Sequence, residues 1–166
     1  MIYKSQTRRA SERGSTLVEF ALVAILFFTL FFGIVDFGRA LYAYHFVGNA
    51  AREGTRYAMV RGNTCITLPD CNIQSAQIQT YLAGLASGLN SSQLTASTTW
   101  PIVANSPSIC STSNNQNAPG CTVQVSVTYP FNFIFPLMPT TTCTLGSPPV
   151  TANICMTSTS QMVISQ

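Results

Sequence analysis

A 19-residue run from Leu17 to Val35, interrupted only by Glu19, Thr29 and Gly33, governs what this chain can fold into. As a helix it is about 28 Å long at about 1.5 Å per residue, enough to cross a hydrocarbon core of about 30 Å. A cleaved secretory signal would also place basic residues, here Lys4, Arg8, Arg9 and Arg13, ahead of an apolar stretch. The run exceeds the roughly 7–15 residues of such a signal, and the following "DFGRALYAYHF" has no clear small-x-small cleavage site. A retained transmembrane helix is therefore expected over 17–35.

Charge does not orient this helix. Arg39, Arg52, Arg56 and Arg61 beyond the run match the four basic residues before it in number. The cysteines do orient it. Cys65, Cys71, Cys110, Cys121, Cys143 and Cys155 all lie beyond the run, and an even count in a small domain suits an oxidising compartment. The short N-terminus is expected in the cytoplasm and the larger part outside.

The 166-residue chain then divides in two. All eight basic and five acidic residues fall between Lys4 and Asp70, and Asn72 to Gln166 contains no Asp, Glu, Lys, Arg or His. The net charge of +3 belongs to residues flanking an apolar run, which argues for a lipid bilayer and against nucleic acid as the partner. The expected organisation is a leader at 1–14, a long helix at 15–62 and an extracytoplasmic disulfide-bonded domain at 63–166.

The helix is expected to continue past the membrane. "GRALYAYHFVGNAAREGTRYAMVRG" has no proline, and Leu41, Tyr44, Val47 and Ala51 recur at three- to four-residue spacing. Asp36 and Arg39 can pair at i,i+3, Asn49 and Glu53 are neighbours at i,i+4, and Gly62-Asn63 is a reasonable stop. Gly38, Gly48 and Gly54 weaken an isolated helix by up to about 1 kcal/mol each, which points to close packing or bending.

In the charge-free part, Ile78, Leu82, Leu85 and Leu89 share a helical face ending near Gly88. Val123, Val125 and Val127 alternate with Gln124, Ser126 and Thr128 as a half-buried strand, and Met156, Met162 and Ile164 alternate more weakly. With "LTASTTWP" as a further segment, these predict a short helix packed on a three-stranded, mainly antiparallel sheet, so the fold class is α+β. Ser106–Gly120 reads as a polar loop. Phe131, Phe133 and Phe135, set between prolines, either fill the core or present an apolar surface to a partner or the bilayer. Six cysteines allow fifteen pairings, of which proximity favours Cys65–Cys71, Cys110–Cys121 and Cys143–Cys155.

Three motifs, "RGSTLVEFALV", "GIVDFGRALYAY" and "NAAREGTRYAMVRG", stand in order between Arg13 and Gly62. In this stretch of about 50 residues the chain resembles the TadE-like pseudopilins of the tight-adherence (Tad/Flp) pilus, a branch of the type IV pilus machinery. The resemblance implies cleavage between Gly14 and Ser15 by a prepilin peptidase and a place in the bacterial inner membrane. It also implies partnership with other pilins, pseudopilins and the pilus assembly platform. A cut there creates a Ser15 α-amine, largely protonated near neutrality, one helical turn before Glu19. In type IV pilins the corresponding glutamate balances the amine of a neighbouring subunit. The alternative for Glu19 is a snorkelling interfacial residue. Within these motifs Asp36, Gly38, Arg39, Arg52, Glu53, Gly54 and Arg56 are candidates for helix packing.

Catalysis is not expected. The outer domain supplies only Tyr and oxidised Cys among the usual acid-base groups, its hydroxyls lack an activating base, and no phosphate-binding loop occurs. His45, on the membrane-proximal helix, lacks partners for a catalytic role. No CxxC unit exists and no histidine accompanies the cysteines, so no metal, cofactor or small-molecule substrate is expected. The expected function is assembly of a Tad-type pilus by priming, insertion or capping. The alternative is a surface or pilus-tip adhesin that binds through its uncharged Ser/Thr/Asn face.

Overall fold

The computed structural model describes residues 7–104, 106–112, 115–134, 138–144 and 149–165, with side chains from Gly14 onward. Part of the expected leader and Phe135 thus lie outside the described residues. Helix α1, Thr7–Met59, is one uninterrupted α-helix of 53 residues, about 80 Å long at the standard rise. It ends three residues before Gly62.

The two halves of α1 live in different surroundings. From Leu17 to Val35 its large apolar side chains are exposed all round, Phe20 by 74% and Leu26 by 72%, which only a non-aqueous environment tolerates. Thr29, the polar interruption, donates its hydroxyl to the Ile25 carbonyl at 2.8 Å and so satisfies itself within the helix. From Asp36 onward one face is buried, made of Ala43, Val47, Ala50, Ala51, Gly54, Thr55 and Ala58. These are mostly small residues. Leu41 and Tyr44, expected on the same face as Val47 and Ala51, point away and are 43% and 65% exposed.

The buried face of α1 rests on a three-stranded antiparallel sheet of order β1-β2-β5. The strands are β1, Thr95–Thr99; β2, Thr122–Phe131; and β5, Ile154–Val163. Val123, Val125 and Val127 all point into the core with no exposure, as their alternation requires. Met156 on β5 and Ile164, just past its end, point inward as well. Helix α2, Ser75–Leu85, lies beside α1 and packs on β1, burying Ile78 and Leu82. It stops before Leu89, and Leu85 is exposed. The turn is completed by Gly88 at φ +76°, where the Tyr42 hydroxyl donates to the Ser87 carbonyl. The fold is thus α+β, with a candidate membrane span at its N-terminal end.

One element was not anticipated. Strands β3, Thr141–Cys143, and β4, Val150–Ala152, form a second, two-stranded antiparallel sheet at the end of the main one. The expected loop over 106–120 is more structured than its composition implies. It holds a short 3-10 turn at Ser108–Ser111 and buries Asn117, whose carbonyl accepts from the Asn63 amide at 3.0 Å just beyond the end of α1. Disulfides join Cys65 to Cys71, Cys110 to Cys121 and Cys143 to Cys155, the pairs adjacent in sequence.

Candidate functional site

Strand β2 runs antiparallel to α1, so position along the helix translates into position along the domain. At the far end, the Ser165 amide donates to the Met59 carbonyl at 2.9 Å. Midway, Gly54 faces Val125 and Leu82: a Cβ on Gly54 would stand 3.1 Å from a Val125 methyl and 3.0 Å from a Leu82 methyl. At the near end, the Arg39 guanidinium lies over the Phe131 ring, 5.4 Å from its centre. Of the three glycines expected to mark packing, Gly54 does so. Around Gly38 and Gly48 an added Cβ would meet nothing within 4 Å, so these glycines answer no contact among the described residues.

Asp36, the first residue after the apolar run, is 4% exposed. Its carboxylate accepts from Arg39 Nη1 at 2.8 Å and from the Ile134 amide at 3.0 Å. The expected i,i+3 pair therefore exists and also holds the segment that leaves β2. Glu53 accepts instead from the Tyr81 hydroxyl at 3.2 Å, linking α1 to α2. Burial first, then the hydrogen bond and charge of Glu53, push the Tyr81 phenol above its ordinary value of 10.0. Arg52 and Arg56 are exposed, while Arg61 stacks on Tyr57 with its guanidinium 3.6 Å from the ring centre.

Gly14, Ser15 and Glu19 lie on the exposed first turns of the apolar half of α1, and among the described residues nothing lies within 4 Å of a Cβ placed on Gly14. Ser15 and Glu19 are separated by about one turn, roughly 6 Å along the axis. The structure brings neither to the Asp36 cluster. Sequence reasoning missed Asn153. Its side-chain amide donates to the carbonyls of Met138 and Pro139 at 3.2 and 3.0 Å, and its oxygen accepts from the Phe133 amide at 2.9 Å. No periodicity marks such a residue, because it acts through the backbone of a loop.

The sheet face turned away from the helices is a grid. Thr95, Ser97 and Thr99 of β1 pair with Thr128, Ser126 and Gln124 of β2, which pair in turn with Thr157, Thr159 and Gln161 of β5. All nine are uncharged hydroxyl or amide residues, and Ser126–Thr159 and Thr128–Thr157 bond across strands at 2.9 and 3.0 Å. His45 lines a groove of about 220 Å³ with Asn49, Arg52, Thr157 and Ser158. Among the described residues no cluster of three or more His, Cys, Asp or Glu could hold a metal ion.

The family model described as TadE-like protein matches residues 14–56, about a quarter of the chain. No curated protein and no solved structure matches. The matched stretch covers the exposed apolar helix and most of its packed continuation, from Gly14 through Arg56. It supports a membrane-anchored protein associated with the Tad pilus.

Proposed function

Proceeding from the TadE-like match of residues 14–56, we propose that this protein is a minor pseudopilin that acts in assembly of a Tad-type pilus, by priming, insertion or capping. The observation that carries the reading is the division of one unbroken helix. Its first half is apolar and uncovered, and its second half is the spine of a folded domain. Such a helix can wait in the bilayer and later pack against other pilin helices without refolding. Cutting after Gly14 by a prepilin peptidase leaves the Ser15 amine, with Glu19 one turn on, at the end of the span remote from the domain. The helix dipole favours a carboxylate there by about 0.3–1 kcal/mol in exposed cases. The disulfides favour an extracytoplasmic domain and hence a cytoplasmic N-terminus in the inner membrane.

The decisive variant is Glu19→Gln. It removes a charge whose cost near a bilayer centre is about 2.5–3.5 kcal/mol, so insertion persists or improves. An unpaired amine at a subunit contact, however, costs about 3–5 kcal/mol. The expected outcome is a chain that is cleaved to Ser15 and membrane-embedded but fails to co-purify with pilins. Normal filaments and undiminished co-purification would overturn this role for Glu19. Sequencing of the mature N-terminus tests the cut independently; an intact Met1 in cells with active prepilin peptidase counts against it.

A second reading, a surface or tip adhesin, draws support from the uncharged grid on β1, β2 and β5. Replacing Ser126 and Thr159 by Lys separates the two: an adhesin loses attachment and keeps filaments, whereas an assembly component with an idle grid keeps both.

A further inference from the structure

The two edges of the main sheet are finished differently. The β1 edge is five residues long and is followed by Trp100 and Pro101. Its outward groups are taken up by α2, where the Gln79 side chain accepts from the Ala96 amide and donates to the Leu94 carbonyl. Past Thr95, where β1 begins, β2 carries Pro130, which has no amide to offer. A short strand, a proline and a cap are the usual protections of an edge against stray pairing.

The β5 edge has none of these. It pairs with β2 over ten residues in unbroken register. Along an antiparallel strand the backbone bonds alternate sides. The Ile164 amide donates to the Cys121 carbonyl and the Ile164 carbonyl accepts from the Gly120 amide, both towards β2. By alternation Ser158, Ser160 and Met162 also face β2, while Thr157, Thr159 and Gln161 turn their amides and carbonyls away. The Ser126–Thr159 and Thr128–Thr157 hydroxyl contacts agree, since side chains stand closer at pairs that share no backbone bonds. Only the ends of this edge are taken: the Ser165 amide by the Met59 carbonyl, and Cys155 by its disulfide to Cys143. Among the described residues, the outward groups of Thr157, Thr159 and Gln161 have no backbone partner. The lack of charge here decides nothing, because the whole chain after Asp70 is uncharged; the missing cap decides.

There is room beside it. An added strand would lie about 4.8 Å outside β5, under the flank of α1. A groove of about 220 Å³ runs there between Gly48, Asn49 and Arg52 of α1 and Thr157 and Ser158 of β5. Arg52 is exposed and has no ion-pair partner among the described residues.

We propose that the outer edge of β5 receives an extended segment of another pilus protein, running antiparallel to β5 opposite residues 157–161 and carrying a carboxylate that meets Arg52. The inference rests on the assembly reading above and names the surface that reading would use. A second copy does not fit the site. One bilayer anchors every α1 in the same direction, so two copies hold their β5 strands parallel, whereas every pair in this sheet is antiparallel. Main-chain bonds supply the attachment and Arg52 the choice of partner.

The test is amide hydrogen exchange, resolved by residue, on the full detergent-solubilised chain, alone and co-purified with pilins from piliated cells. Alone, Thr157, Thr159 and Gln161 are expected to exchange freely while Ser158, Ser160 and Met162 are protected. In the complex the three outward amides should slow by at least about tenfold. Thr159→Pro removes an amide that the fold does not use, so it should keep the wild-type unfolding transition and lose most of the co-purifying pilin. Arg52→Glu, on the helix surface, should lose it too, and decides the matter where the proline variant misfolds. A wild-type complex whose three outward amides still exchange freely, or full co-purification by a folded variant, overturns the edge and leaves the assembly reading standing. Failure of the wild type to co-purify with any pilin removes both. Protection that appears in the chain alone as its concentration rises gives the edge to a second copy and equally overturns the proposal.

Discussion

Gly54 shows how far one absent side chain sets the geometry of the domain. Methyls of Leu82 and Val125 stand only 3.0 and 3.1 Å from where its Cβ would be, so α1 closely approaches both α2 and β2 at this point. Gly54→Ala gains about 1 kcal/mol of helix propensity, while contacts near 3 Å ask flexible methyls to give by a few tenths of an ångström. The two effects nearly cancel, and little net change is expected. Gly54→Leu cannot be absorbed in this way and should destabilise by about 1–3 kcal/mol through overpacking. Gly38→Ala and Gly48→Ala meet open space and should stabilise the isolated chain by up to about 1 kcal/mol. Denaturant unfolding of the detergent-solubilised chain measures all four. Stabilised Gly38 or Gly48 variants that assemble poorly would show that those glycines serve a contact with another subunit.

Among the elements, the hairpin of β3 and β4 depends most on covalent help. Three residues per strand give it little ladder of its own, and Cys143–Cys155 ties it to β5. Replacing both cysteines by Ser should cost about 2–4 kcal/mol. The loss should be local: protease cleavage within 140–153 rises while the three-stranded sheet keeps its circular dichroism. Uniform cleavage across the chain would contradict this. The same hairpin marks where sequence reading failed. Val123, Val125 and Val127 were legible because one face of β2 is buried and the other is polar. Ile78 and Leu82 were legible for the equivalent reason on α2. Strands of three residues are too short to show a period, and Asn153 organises a loop through backbone groups that composition does not encode. On α1 the amphipathic reading set Leu41 and Tyr44 on one face with Val47 and Ala51, and the last two are buried while the first two are not. A helix lying close against a sheet buries Ala and Gly instead, and leaves Leu41 and Tyr44 outside. Of the candidate site residues, the Asp36–Arg39 pair was readable from spacing, whereas the Ile134 contact 98 positions away was not.

Taken as a whole, the molecule holds its folded part together with scarcely any charge. Among the described residues, Asp36–Arg39 is the ion pair within hydrogen-bonding distance, and no ionisable Asp, Glu, Lys, Arg or His follows Asp70. Stability of the detergent-solubilised chain should therefore vary by less than about 1 kcal/mol between pH about 6 and 9, and change little with salt. The alkaline side is different. Because the Tyr81 phenol is raised above 10.0, its contribution is complete below that value and is lost as pH climbs through the folded-state pKa. Chemical unfolding across pH and salt, with tyrosinate absorbance followed in parallel, checks both statements. A steep loss on moving from pH 9 to 6 would contradict them.

The 53-residue helix contains no proline and runs unbroken from the bilayer span into the domain. It is a lever. Asp36 to Met59 extends about 35 Å beyond the span, and a tilt of about 20°, ordinary for a crossing helix, would carry the far end sideways by about 12 Å. The sheet, the hairpin and the hydroxyl grid would swing with it as one arm, so a pull on the buried half of the helix is felt at the tip without delay or slack.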